Sequence, residues 1–398
     1  MPAAADTAGR SAVSAALAVR RWAWAVFFGE EAGEAPGDRA GWELFLRVER
    51  CALPLHARLG DSGATRLPPE IATLLRQRAG IETQRVLSAR AGLALISRAA
   101  ASLGGAAVVV LKGGVVLTPG AEPLDLADVD VLLEPGAAGR LGEALDASGY
   151  QPYSHADEWH ARPRIAPGAV PVEIHTGLPP DQAEPGVLER AVALPGWPAL
   201  RRPAPLDHAW HLLVHSALHH PLRRGGLRDL LLLAAALREC TADEVEEIGA
   251  RAGAHRFALP LGEVLEAGRA LAAGTPGTDC FGRIAAAAYG LQFWTVRLRL
   301  PPWVRAELAL TVVPLVGAPA DRSEFRALLA RNAHGSHLPP LAWAERRVPR
   351  LGAALRTAVR GARYAFWTAA ALPLAAGAGR AAARVPSGAR LSQSRTPC

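Results

Sequence analysis

Residues 106–131 read AAVVVLKGGVVLTPGAEPLDLADVDV. Val108-Val109-Val110-Leu111 is short, apolar and β-branched, which predicts a strand. Lys112 and the pair Gly113-Gly114 follow, then a short helix or turn through Leu117, closed by Thr118-Pro119-Gly120. A second strand is predicted over 126–133, and it carries Asp128 and Asp130. Side chains alternate along a strand, so these two carboxylates share one face. Side by side they repel, and each favours neutralisation of the other. The flanks Leu126-Ala127 and Val131-Leu132-Leu133 are apolar, which speaks against a pair that simply faces water. A hard divalent cation with oxygen ligands, Mg²⁺ above all, is the natural counter-charge. Gly113 and Gly114 let backbone N–H groups approach a phosphate, and a helix N-terminus favours anions. An ordinary turn is the alternative for any Gly-Gly pair.

Lys112 is the only lysine in the chain. Either a compact ammonium is wanted at the mouth of the glycine turn, or one lysine has survived an arginine-rich coding bias. Upstream, Pro68-Pro69 opens a long helix from Glu70 to about Leu103, ended by Gly104-Gly105. Its predicted buried stripe is Leu74, Leu75, Val86, Leu87, Leu93 and Ile96. Downstream, residues 137–148 read as a helix and Gly149 ends it. A segment with Tyr150, Tyr153 and Trp159 leads to a third strand over 169–175, which places Glu173 between Val172 and Ile174. Any one of these carboxylates suits a solvated strand face. Three in this order after a Gly pair point to a shared site.

Gly113-Gly114, thirteen residues, Asp128-Val129-Asp130-Val131 and then Val172-Glu173-Ile174 resemble the signature of the polymerase-β-type minimal nucleotidyltransferases. The wording LKGG…DVDVLL…VEIH…H…LRDL is similar to an uncharacterised bacterial nucleotidyltransferase group, over residues 91–237. In that group an arginine commonly precedes the Asp-x-Asp strand; here Leu124-Asp125-Leu126-Ala127 stands there. The resemblance implies an α+β fold: a polymerase-β-like core of small mixed sheet and helices, with helical N- and C-terminal segments. It implies two Mg²⁺ ions on Asp128, Asp130 and Glu173, with an NTP as donor. Gly113 and Gly114 would contact its β- and γ-phosphates beside Lys112, and Glu173 would help deprotonate an acceptor hydroxyl. In that group His215, Arg228 and Asp229 match the pattern as supporting residues, and His215 or Asp229 is expected to orient a site residue or the acceptor.

His211, His215 and His219 fall at i, i+4 and i+8, on one helical face. Such a face either holds hydrogen-bonded structural histidines or binds a transition metal; no glutamate completes H-E-x-x-H. Arg223, Arg224 and Arg228 form a basic patch, on a solvated turn or against an anion. Helical period continues over 42–59, 227–237, 243–253, 261–273, 281–300 and 303–313. An arginine- and alanine-rich helix over 346–370 closes the bundle or lies on a membrane surface or partner. The expected units are 1–40, disordered with a short helix around Trp22, Trp24, Phe27 and Phe28; 41–105, helical; 106–178, the core; 179–340, helical; and 341–398, a basic helix and disordered tail.

The chain has 398 residues, half of them hydrophobic, ample for a packed core. Its net charge of +7 suits an anionic partner, although an arginine-rich background explains it equally. Four scattered cysteines without CxxC fit a reducing compartment. No signal peptide is expected, and the longest apolar stretch, 365–377, is broken by Pro373. A cytoplasmic protein is expected. The function class is an NMP transferase acting on a small-molecule, peptide or protein hydroxyl. The alternatives are a degenerate nucleotide-binding scaffold and an antitoxin-like enzyme that modifies a partner protein. No nucleic-acid module is recognised, so a sequence-reading nucleic-acid binder is not expected.

Overall fold

Alanine has the highest helix propensity of all residues. The small-residue opening, expected to be disordered, accordingly forms a helix, α1 (Pro2–Phe28). Its Ala16, Val19, Ala23, Trp24, Phe27 and Phe28 are buried. The period expected over 42–59 divides into α2 (Arg39–Glu49) and α3 (Ala52–Ala64), because Arg50 turns the chain in the left-handed region at φ 52°. The long helix opened by Pro68-Pro69 is α4 (Pro69–Ala101). In it Leu87 is 58 % exposed and leaves the expected stripe: next to the buried Val86, it lies a quarter turn off the packed face.

The computed structural model describes residues 2–299 except 65–66, 119–120, 123, 153–159, 180, 183–184 and 220–222. The helices expected over 303–313 and 346–370, the unit 341–398, and Tyr153 and Trp159 lie outside the described residues.

The first strand is β1 (Val109–Val110), followed by a 3₁₀ helix over Lys112–Leu117. Then come β2 (Val129–Leu132), α5 (Pro135–Ala147), β3 (Gln151–Pro152), β4 (Arg164–Ile165) and β5 (Val172–His175). The sheet does not end there, as a core bounded at 178 would require. A hairpin of β6 (Val192–Leu194) and β7 (Trp197–Arg202) joins it, in the order β3-β4-β5-β2-β1-β7-β6. Strand β1 pairs antiparallel with β2 and parallel with β7, and β2 pairs parallel with β5. Helix α6 (Pro205–Val214) follows, with a π turn at His215–His219. Next are α7 (Leu227–Glu239), α8 (Ala242–Ala254), α9 (Ala258–Ala273) and α10 (Gly282–Leu298).

Two apolar cores result. Leu17, Phe45, Leu75, Leu213, Leu233 and Leu291 belong to one, so the N- and C-terminal helices, expected as separate units, form a single bundle. Val86, Leu93 and Ile96 belong to the other, with Val110, Val131, Ile174 and Leu141. Helix α4 runs through both and fixes the sheet against the bundle. A buried ionic network ties the bundle together. Arg20 donates to Glu49 (2.5 Å), Asp279 (2.8 Å) and the Gly225 carbonyl (2.7 Å). Glu49 also accepts from the Tyr289 hydroxyl (2.7 Å) and from the Leu227 N–H (2.8 Å), at the start of α7. No described helix is long and apolar enough to cross a membrane.

Candidate functional site

Strands β2 and β5 run parallel with Asp130 opposite Glu173 and Leu132 opposite His175. Paired residues of parallel strands present their side chains on the same face. Asp130 and Glu173 therefore stand side by side, and Asp128 lies two residues before Asp130, just ahead of β2. The three carboxylates that the sequence singled out are brought together. Asp130 is buried; Asp128 and Glu173 are half-buried.

Lys112 points its ammonium into this group. Nζ lies 2.6 Å from Asp130 Oδ1. Its backbone has φ 49°, a region that favours glycine. A lysine thus stands at a strained backbone position beside a buried aspartate. His175 Nε2 donates to the same Asp130 oxygen at 2.9 Å. Burial disfavours the Asp130 anion, yet Lys112 and His175 outweigh it and hold its carboxyl well below the usual range. The opposite holds for its neighbours. Burial first, then Asp130 and Asp128, push Glu173 up to about 7; burial and Asp130 raise Asp128. Burial works against the Lys112 ammonium, but Asp130, Glu173 and Asp128 raise its pKa. Three carboxylates set against one ammonium suit a hard divalent cation, whose charge would relieve the strain that Glu173 registers.

Gly113 and Gly114 are buried in the 3₁₀ helix. A Cβ on Gly113 would lie 2.2 Å from Leu126 Cδ2, and one on Gly114 would lie 2.5 Å from Val110 Cγ1. Close packing against β1 and the segment leading into β2 is thus one reason for the pair, whatever binds above it.

Asp125, in the segment where the resembling group carries an arginine, is buried. Arg50 Nε (2.6 Å) and Arg85 Nη1 (3.1 Å) donate to its carboxylate, and Arg228 Nε donates to its carbonyl (2.5 Å). Arg228 also bonds Asp229 at 3.2 Å. The cations are thereby supplied from the end of α2, from α4 and from α7. Arg50, Arg223, Arg224 and Arg228 line one cleft together with Glu49 and Asp229. Arg228 and Arg50 act electrostatically on Asp128, favouring its ionised form, which places this cleft next to the carboxylates. The pKa of Arg223 is lowered, by desolvation first and then by Arg228 and Arg50, while Asp229 and Asp128 act to raise it. A second, wider cleft is lined by Arg50, Arg78, Gln84, Arg85, Ala127 and Gly168. Arg50 borders both.

The histidine face forms, and its inner end lies near the site: burial first, then Lys112, His175 and His208, hold His211 well below the usual imidazole range, while Asp130 opposes them. His211, His215 and His219 stack in a column, with ring centroids 6.0 and 5.9 Å apart. Gln182 Nε2 lies 2.5 Å from His219 Nε2. The ring contacts of His215 within the column are with His211 and His219. Another histidine reaches the site loop instead: His208 Nε2 lies 3.3 Å from the Lys112 carbonyl. Burial depresses His208 and His219 to about 4, so both stay neutral.

Sequence reasoning missed His175, Arg50 and His160 as site residues. His175 had a signal, since it follows Glu173 by two and shares its strand face. Arg50, 78 residues before Asp128, and His160, which bridges to His175 from the far side of β5 with ring centroids 4.2 Å apart, had none.

No curated protein and no solved structure matches the chain significantly. A family model described as "Uncharacterised nucleotidyltransferase" matches residues 39–271, more than half of the chain. The match takes in α2 through most of α9, wider than the 91–237 over which the motif is legible, and includes the carboxylates, Arg50, Arg85, Arg223, Arg224, Arg228 and the histidine column. With the carboxylate triad gathered on and just ahead of the paired strands β2 and β5 of an α+β sheet, the chain belongs to this uncharacterised nucleotidyltransferase family.

Proposed function

We propose that the protein transfers a nucleoside monophosphate from an NTP to an acceptor hydroxyl, with Mg²⁺ held by Asp128, Asp130 and Glu173. The observation that carries this reading is the in-register pairing of Asp130 with Glu173, beside Asp128, on which Arg228 and Arg50 of an arginine-lined cleft act electrostatically. Bound Mg²⁺ supplies charge neutralisation at the reacting phosphate and polarises its oxygens. The chain's own residues do the rest. Arg50, Arg223 and Arg228 hold the triphosphate, and Lys112 exchanges its contact with Asp130 for one with phosphate oxygen. Gly113 and Gly114 keep the backbone close to the β- and γ-phosphates. Glu173, with a pKa near neutrality in the metal-free protein, takes the proton of the acceptor hydroxyl. A bond forms between that oxygen and the α-phosphorus, the α–β bridge breaks, and pyrophosphate leaves. Such transfer depends mainly on positioning and charge stabilisation. The wider cleft, which meets the site at Ala127 and Arg50, receives a small-molecule, peptide or protein acceptor.

One observation favours a nucleotide-binding scaffold instead: the Lys112 ammonium already sits on Asp130, where a metal would bind. Incubation with α- and γ-labelled NTPs, in the presence of cell-extract acceptors, separates the readings. α-Label on an acceptor, with pyrophosphate released and both lost in Asp128→Asn, supports transfer. Metal-dependent NTP binding without label transfer supports the scaffold, and γ-label transfer contradicts both.

A further inference from the structure

His160, Glu173 and His175 each offer one ligand atom, and these atoms lie within 4.8 Å of one another. The rings of His160 and His175 face each other across a β-bridge, 4.2 Å between centroids. The hydrogen bonds around His175 fix which nitrogen is free. Asp130 Oδ1 is an acceptor, so the proton lies on His175 Nε2. Nδ1 then carries a lone pair. It is buried and finds no hydrogen-bond partner among the described residues. A buried acceptor without a partner costs free energy, unless something that wants a lone pair binds there.

We propose that His160, His175 and Glu173 form a site for a borderline divalent transition ion, of the Mn²⁺, Co²⁺ or Zn²⁺ class, next to the proposed Mg²⁺ ligands. Two imidazoles and one carboxylate select such ions, because Mg²⁺ prefers an all-oxygen shell. Asp130 completes a carboxylate–histidine–metal arrangement, in which the outer carboxylate orients the ring and raises its basicity. Glu173 has two oxygens and can serve both this ion and the site of Asp128 and Asp130. The proposal shares Glu173 with the transfer reading and deepens it. One of the two cations would be nitrogen-ligated, and the protein would discriminate between metals rather than accept any hard divalent ion. The column of His211, His215 and His219 is a separate feature and takes no part.

The test is titration of the metal-free full-length protein with Mn²⁺ alone, without nucleotide, read by pulsed electron paramagnetic resonance. Nitrogen coupling from coordinated imidazole is expected on bound Mn²⁺ in the wild type. In His160→Asn the affinity for Mn²⁺ falls by about tenfold or more, and Mg²⁺ at equal concentration does not displace Mn²⁺ from the wild type. Bound Mn²⁺ without nitrogen coupling in the wild type overturns the proposal, and that measurement does not depend on how the variant folds. Unchanged affinity in a folded His160→Asn overturns it as well. Asp128→Asn serves a different purpose: loss of Mg²⁺-dependent NTP binding there supports the transfer reading, and its persistence counts against that reading alone. The two can therefore fail independently.

Discussion

Two donors, the Lys112 ammonium and the His175 ring, meet at one oxygen of Asp130, while Glu173 and Asp128 beside it have their pKa values raised. Lys112 thus acts as a built-in counter-ion, and its removal has two opposite effects. Lys112→Met lowers the stability of the metal-free protein by about 3 kcal/mol, the low end for breaking a buried pair, since the ammonium keeps some water. The same variant binds divalent metal more tightly without nucleotide, because no ammonium competes for Asp130, and binds NTP more weakly; denaturation and calorimetry check both. Glu173 contributes to the pH response, together with Glu82, which burial also pushes up to about 7. The Glu173 pKa is raised from the ordinary 4.5 to about 7, so the folded state holds the proton more tightly than the unfolded chain. Its contribution to stability is complete below about pH 4.5 and is lost as pH rises through about 7. Melting temperatures of the metal-free protein should fall between about pH 5 and about pH 8. Glu173→Gln should flatten that fall, and a divalent ion should oppose it by binding the ionised form. At this scale the sequence was informative: period-two spacing placed Asp128 with Asp130, and the apolar neighbours of Glu173 placed it on a strand. Which cations would answer them was not legible, because Arg50 and His160 arrive from elements distant in sequence.

The glycine turn separates two explanations at the level of a single element. Its phosphate contact is proposed, whereas its packing is visible, with Val110 and Leu126 against the two Cα atoms. Gly114→Ala pushes a methyl group into Val110 and should cost about 1–3 kcal/mol. Adding Val110→Ala should recover part of that loss if packing is the cause, as denaturant unfolding of the single and double variants would show. If NTP binding returns together with stability, the glycine matters through packing; if only stability returns, it matters for the ligand as well. Elements with strong local signals were legible here. Helix α4 begins at Pro69, as Pro68-Pro69 dictates, and α8 begins at the Thr241–Glu244 capping box. The hairpin of β6 and β7 was missed because Pro195-Gly196, with Gly196 at φ 79°, joins two runs too short to show alternation. The first part of α1 was missed, ahead of the short helix expected around Trp22–Phe28, because its alanines, read as low complexity, are also the strongest helix formers.

Across the whole molecule, the bundle depends on pairing α1 with segments more than 200 residues away. Arg20 reaches Glu49, Asp279 and the Gly225 carbonyl, and Tyr289 closes the network on Glu49. No single-sequence pattern announces such a pairing, so the two helical ends read as separate units. Arg20→Met strands the buried Glu49 and the half-buried Asp279 and should cost about 3 kcal/mol in chemical denaturation. Glu49 also caps the start of α7, and Arg228 and Asp229 lie in that first turn. The loss should therefore spread to NTP affinity although Arg20 lies outside the carboxylate site. The central claim is that Asp128, Asp130 and Glu173 bind an NTP through a divalent metal. Its most direct test is the thermal stability of wild type and Asp128→Asn with each NTP, with and without Mg²⁺. The wild type should gain about 2.7 kcal/mol at a hundred times the dissociation constant of one NTP, only with Mg²⁺ present, and Asp128→Asn should gain nothing. Equal stabilisation of the two proteins, or stabilisation that ignores Mg²⁺, would contradict the account.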